Sequence, residues 1–143
     1  PKSRGTVRLA STDPFTAPLI DPNYLADPQD LATLVAGMEL VRESLAHPAI
    51  SGEVGREVLP GADLHGEDLA EFARRNASGV YHPVGTCRMG SDERAVVDPA
   101  LRARGVAGLR VADASVMPSI VGGNTNAAAM MIGERAAELI LGG

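Results

Sequence analysis

Two short stretches hold the side chains best suited to chemistry. Residues 78–90, SGVYHPVGTCRMG, set His82 directly before Pro83, so its backbone is expected to be extended just ahead of a fixed turn. Val84, Gly85, Thr86 and Cys87 are small or apolar and are expected to form a partly dry wall beside the imidazole. Histidine exchanges a proton near neutral pH, and its surroundings readily tune that exchange. On these residues alone two readings stay open, a proton-handling group or a hydrogen-bonded structural histidine. In the second stretch, GGNTN at 122–126, the paired glycines let the backbone turn freely and approach another group closely. Asn124 reads as a helix N-cap, with a helix from about Thr125. Its unpaired N–H groups and positive dipole end would suit an electron-rich partner. A tight helix entry is the plainer alternative.

Weaker constellations surround these. Cys87, the sole cysteine, excludes an internal disulfide and a cysteine-rich metal site. A Cys87/His82 hydrolase pair is conceivable, but closeness in sequence does not bring sulfur to imidazole, because such pairs are set by geometry. His65 lies among Asp63, Glu67 and Asp68. An exposed helix start accounts for those acids more simply than a metal site, so no metal is expected.

The elements that must position these residues follow from periodicity and punctuation. Residues 6–10, TVRLA, alternate with period two and predict a half-buried strand after the basic turn closed by Gly5. Pro14, Pro18 and Pro22 make residues 11–22 an extended connection. Asp27-Pro28 is a strong helix start. Leu31, Leu34, Val35, Met38, Val41 and Leu45 then fall on one face, which predicts a core-facing helix. Pro48 ends it and leaves His47 in its last turn. Residues 54–59 predict a short strand, and residues 67–76 a second amphipathic helix packing Leu69, Phe72 and Ala73. Val80-Tyr81 reads as strand, residues 96–105 as short irregular pieces, and residues 109–111 as a short strand. Met117-Pro118 breaks regularity, and the final helix, rich in Ala, Met, Ile and Leu, is expected to be buried on most of its girth.

Composition bounds the class. Hydrophobic content of 45% argues against disorder. A net charge of −5, spread along the chain without a basic face or aromatic platform, gives nothing that favours nucleic acid as a partner. No apolar run approaches the roughly 18 residues of a membrane span, and no leader opens the chain. Cytoplasm is the default localisation. The chain opens at Pro1 directly into strand-like sequence, so it is expected to be a piece of a longer protein.

PKSRGTVRLAS, DPNYL with the D-P-x-D helix start, YHPVGTCRMG, GLRVADASVMP and GNTNAAAMMIGERAA together resemble the carboxy-terminal region of the glucose–methanol–choline (GMC) flavoenzymes. The likeness is to the choline dehydrogenase and choline oxidase branch, and it covers essentially the whole chain in the family's order. It implies an α+β fold: an antiparallel sheet covered by helices over residues 1–104, the substrate-binding part. Residues 105–143 would return to the FAD domain as a strand, loop and helix. It implies FAD as cofactor, a small-molecule alcohol as substrate, and an amino-terminal FAD domain as partner. Catalytic roles would fall to His82 and Asn124. Asp113 and Ala114 would meet the ribityl–phosphate portion of the flavin, and Thr125 and Asn126 its ring. The glycine signature G-x-G-x-x-G, which a dinucleotide fold needs for the pyrophosphate, occurs nowhere in the sequence. This chain alone is therefore expected to be inactive, and a non-catalytic binding or assembly module is the alternative. Expressed alone, it would expose the face meant for the FAD domain and could self-associate.

Overall fold

The computed structural model describes residues 1–142. It is α+β and divides into two compact units, Pro1–Ser78 and the chain from Gly79 onward. That boundary lies upstream of residue 104, where the resemblance ends the substrate-binding part.

In the first unit β1 (Thr6–Arg8) pairs antiparallel with β2 (Leu19–Asp21), placing Val7 opposite Ile20; β1 is shorter than the strand predicted over residues 6–10 and exposed rather than half-buried, because a two-stranded ladder has nothing packed on its faces. β2 corrects the reading of residues 11–22 as connection throughout. Three residues between prolines carry too little pattern to register as a strand, and only the pairing with β1 creates one. A Cβ at Gly5 would collide with the carbonyls of Asp21 and Pro22, so the chain can close onto β2 only with glycine there.

Helix α1 (Pro28–Leu45) starts as its residues dictate: Asp27 accepts from the Gln29 N–H at 2.8 Å and Pro28 takes the first turn. It closes at Ala46, so His47 lies beyond the last turn, where its Nδ1 accepts from the Ala49 N–H. The residue before a proline resists helical backbone, which is why His47 is excluded. The apolar stripe is half-buried at Leu31, Val35 and Met38 but open at Leu34, Val41 and Leu45, so it is less of a core than periodicity predicts. Helix α2 (Gly66–Asn76) buries Leu69 and Ala73 and half-buries Phe72, as expected. His65 stands exposed at its N-cap without capping it.

Residues 54–59 form no strand; a 3₁₀ turn over Ser51–Glu53 is followed by irregular chain. Among the described residues no neighbouring strand offers them a ladder, and Arg42 holds the region instead. Its guanidinium donates to Glu57 at 2.7–3.2 Å and to the carbonyls of Gly61 and Leu64. One rigid fork thus ties the end of α1 to the loop that enters α2.

Asp30, in the first turn of α1, accepts from the N–H groups of Lys2 and Ser3 at 2.7 and 2.8 Å and from the Ser3 hydroxyl. The Ser3 oxygen in turn accepts from the Asp27 N–H. These donors, the Ser3 hydroxyl first, hold the Asp30 carboxyl down at about 2 against an ordinary 3.8. A depressed carboxyl stabilises the fold above its ordinary value and loses that contribution as pH falls through the depressed one. Acid titration of stability should therefore show a loss between about pH 4 and pH 2, and Asp30→Asn should flatten that arm. Thermal melts across this range check it; an unchanged arm in the variant would show that the tether carries no stability.

The second unit has a small core of Val97, Leu101, Val116, Met117, Ile132 and Ala136, with Val84, Met89, Val111 and Leu139 packed against it. Val80-Tyr81 is not a strand: Tyr81 has φ of +61°, a left-handed backbone that cannot sit in a ladder. Residues 109–111 also fall short. Only an isolated bridge joins Arg110 to Arg102, because Leu101, at φ of +64°, turns the partner segment away. The irregular reading of residues 96–105 holds. Helix α3 (Asn126–Leu141) buries Ile132 and Ala136 and half-buries Ala128 and Leu139 on the same face. Met130, Met131 and Ile140 stay open, which corrects the expectation of burial on most of its girth. Apolar composition is symmetric around this helix, whereas the unit has a core on one side only. Arg110 donates to the carbonyls of Ala100 and Leu139, so a cation meets the negative end of α3.

Candidate active site

His82 is delivered by a loop with almost no regular structure but firm backbone pins. The Cys87 N–H donates to the Ser115 carbonyl at 3.0 Å and the Met89 N–H to the Val116 carbonyl at 2.8 Å. Arg88 N–H closes a turn onto the Gly85 carbonyl, and Val84 reaches the core. Gly85 has φ of +89°, and a Cβ there would press on the Met117 carbonyl at 3.3 Å, so this crossing needs glycine. The segment holding His82 is thereby fastened beside a 3₁₀ turn (Ala114–Val116), and the chain continues from that turn to Asn124.

The result is a short polar chain. The Asn124 Nδ2 lies 3.0 Å from His82 Nε2, and Thr125 Oγ1 lies 2.9 Å from His82 Nδ1. An amide nitrogen can only donate, so Nε2 accepts from Asn124. The neutral ring then carries its proton on Nδ1 and donates it to the Thr125 hydroxyl. Thr125 is buried at 8% exposure, His82 is half-buried and Asn124 is exposed. The unprotonated nitrogen therefore faces the open side of the group. Val84, Gly85 and Cys87 are half-buried and Thr86 is exposed, so the wall predicted beside the imidazole is drier at some of its residues than at others.

One sequence expectation needs correction. The N-cap of α3 is Thr125, not Asn124, and Thr125 makes no side-chain capping bond. Both side chains turn to the histidine, and the helix goes without the cap that either residue type would favour. The first N–H groups of α3 consequently have no side-chain acceptor at the cap, next to exposed Asn126. Among the described residues no hydrogen bond joins Cys87 to His82, whose two nitrogens are occupied by Asn124 and Thr125. A thiol–imidazole pair is not formed.

The remaining candidates stand one turn earlier. Asp113 caps the 3₁₀ turn, accepting from the Ser115 N–H at 2.7 Å, and Ala114 is the first residue of that turn. The Ser115 hydroxyl and N–H hold the Asp113 carboxyl below the usual carboxylate range. What sequence reasoning missed is the contact of Thr125 with His82. Its only signal was a hydroxyl residue beside Asn124, and nothing local tells which group 43 positions away it meets.

Among the described residues no helix is long and apolar enough to cross a membrane. A family profile described as GMC oxidoreductase matches residues 1–133. The chain is 49% identical over 142 residues to the alcohol dehydrogenase (acceptor) of Pseudomonas putida, a match covering 99% of this chain and 26% of that protein. It is 51% identical over 144 residues to choline oxidase of Arthrobacter globiformis, covering 97% of this chain and 26% of that one. Pyridoxine 4-oxidase of Mesorbium loti superposes with a TM-score of 0.92 at 35% identity, over all of this chain and 28% of its own. The chain thus spans about a quarter of the length of the curated relatives it matches. With the profile reaching from its first residue to within α3, the chain belongs to the GMC oxidoreductase family.

Proposed function

We propose that the chain is the carboxy-terminal part of an FAD-dependent alcohol oxidoreductase that converts a CH–OH group to a carbonyl, as the activities of its relatives suggest. The observation that carries the reading is the 3.0 Å contact of His82 Nε2 with the Asn124 amide nitrogen on the exposed side of the site, where an amide donor requires Nε2 to accept. Bound flavin would supply the acceptor for the hydride leaving the substrate carbon. His82 takes the hydroxyl proton on Nε2, a task that suits histidine near neutral pH. A substrate oxygen entering between His82 and Asn124 replaces their mutual hydrogen bond, so neither side chain is left unpaired. The Asn124 amide then donates to the oxygen as it gains negative charge and fixes the carbon in place.

The same residues fit a flavin. The amino end of α3 lacks a side-chain cap, so its N–H groups and positive dipole end can meet an electron-rich ring edge, with Asn126 at the rim. Asp113 is kept ionised, ready to accept from hydroxyls of a ribityl chain, with Ala114 beside it. Residues 1–104 then form the substrate-binding part and residues 105–143 return to the FAD domain. The pyrophosphate site belongs to sequence outside this chain, which alone does not turn over.

The test is the anaerobic absorption spectrum of the whole protein titrated with primary alcohols, choline included. Bleaching of bound flavin by one of them is the expected result and names the substrate class. A whole protein that purifies without flavin and cannot be reconstituted would sink the enzyme reading in favour of a binding module.

A further inference from the structure

We propose that Thr125 is a positioning residue for His82, its hydroxyl accepting from Nδ1–H and holding the ring so that Nε2, the nitrogen the Asn124 amide donates to, is the one left to accept a proton. The proposal rests on the function proposed above and reassigns Thr125 from the flavin contact that family resemblance implies.

The hydroxyl lies 2.9 Å from Nδ1 and belongs to a residue only 8% exposed, so water competes little for either partner. The β-branched side chain is stiff at χ1, and the methyl group restricts the hydroxyl to few directions. Thr125 occupies the N-cap of a sixteen-residue helix yet makes no capping bond. A threonine in that position ordinarily accepts from the helix N–H groups. Its oxygen is instead committed to the imidazole. The consequence is chemical. A neutral imidazole has one donor and one acceptor, and a hydroxyl anchored at Nδ1 can take that donor, leaving the lone pair at Nε2. The other tautomer would present N–H to the Asn124 amide, donor against donor, and a flipped ring would present C–H; neither offers a lone pair to a substrate hydroxyl at that place. When Nε2 gains the proton, Nδ1–H keeps its partner, so the ring need not reorient during the transfer. Thr125 is uncharged and holds the ring without adding an ionic partner that would bind the imidazolium too firmly to release its proton. Among the described residues no carboxylate is hydrogen-bonded to either ring nitrogen.

The experiment uses the full-length flavoprotein with ¹⁵N-labelled histidine, its His82 signal assigned by comparison with His82→Ala. The expected spectrum shows Nδ1 protonated and Nε2 bare in the neutral ring. Thr125→Val, which keeps the shape and removes the hydroxyl, should mix the two tautomers. It should also slow flavin reduction by the bleaching alcohol about tenfold with little change in the alcohol's apparent Kd, the signature of lost alignment rather than lost binding. Thr125→Ser should restore most of the rate. An Nε2-protonated ring in the parent protein overturns the proposal. So does a valine variant as fast as the parent, or a serine variant as slow as valine, which would mean that the methyl group alone matters. The parent spectrum needs no variant and decides the point even where a substitution unfolds the protein. Failure of the functional reading looks different: a parent not bleached by any alcohol, or His82→Ala as fast as the parent, condemns the function whatever tautomer the ring shows.

Discussion

Replacing His82 by alanine in the whole flavoprotein should slow flavin reduction by its alcohol by about 10²- to 10⁴-fold, the range supplied by a positioned proton acceptor. The hydroxyl proton must leave as the carbon gives up hydride, and among the described residues no other side chain is placed by a hydrogen bond to His82 to take it. Asn124 can only donate through the amide nitrogen that faces Nε2, and Thr125 is turned to the opposite nitrogen. Cys87, in the same loop, has among the described residues no hydrogen bond to the ring and would not substitute. The measurement is rapid mixing under anaerobic conditions, following flavin absorbance, with flavin content and melting temperature checked to be near the parent's. A variant that reduces flavin within a fewfold of the parent would remove His82 from the chemistry.

Replacing Asn124 by alanine should cost about 10²-fold in the same limiting rate, the lower part of the range for losing one donor to a developing oxyanion. The loss should appear in the rate rather than in substrate affinity, because the amide gains most as negative charge builds on oxygen. The two residues also act on one oxygen and touch each other at 3.0 Å, so their losses should not add. The double variant is expected to be little slower than His82→Ala alone. Full additivity in the limiting rate would mean that the pair works at separate steps, against the arrangement described here.

The group these experiments probe is small, and its partners come from distant positions. The loop bearing His82 is fastened through Cys87 and Met89 to Ser115 and Val116, and the chain then needs only the Met117-Pro118 break and the two glycines to bring Asn124 and Thr125 around. Substitutions that disturb those pins should resemble mild loss of His82 or Asn124 rather than simple unfolding, because they misplace the ring without emptying the core.

Sequence alone determined the local events whose causes are local. Asp27-Pro28 starts α1, the amphipathic pattern sets α2, proline limits the end of α1, and the polar-apolar alternation at residues 6–8 makes a strand. Family motifs also placed His82 and Asn124 in one functional expectation. Tertiary structure decided whatever depends on a partner far along the chain. β2 exists because β1 pairs with it, while residues 54–59 and 109–111 lack a continuous partner and stay irregular. The stripe residues of α1 and the whole girth of α3 look apolar in sequence, yet only what packs beside them fixes which residues are covered. Thr125 is the sharpest case. By type and position it is a helix cap, but folding brings Nδ1 of a residue 43 positions away within hydrogen-bond reach, and the hydroxyl goes to the ring. A short-range preference worth about 1 kcal/mol is readily overridden by a long-range polar partner in a buried place, and no local reading of residues 122–126 can foresee it.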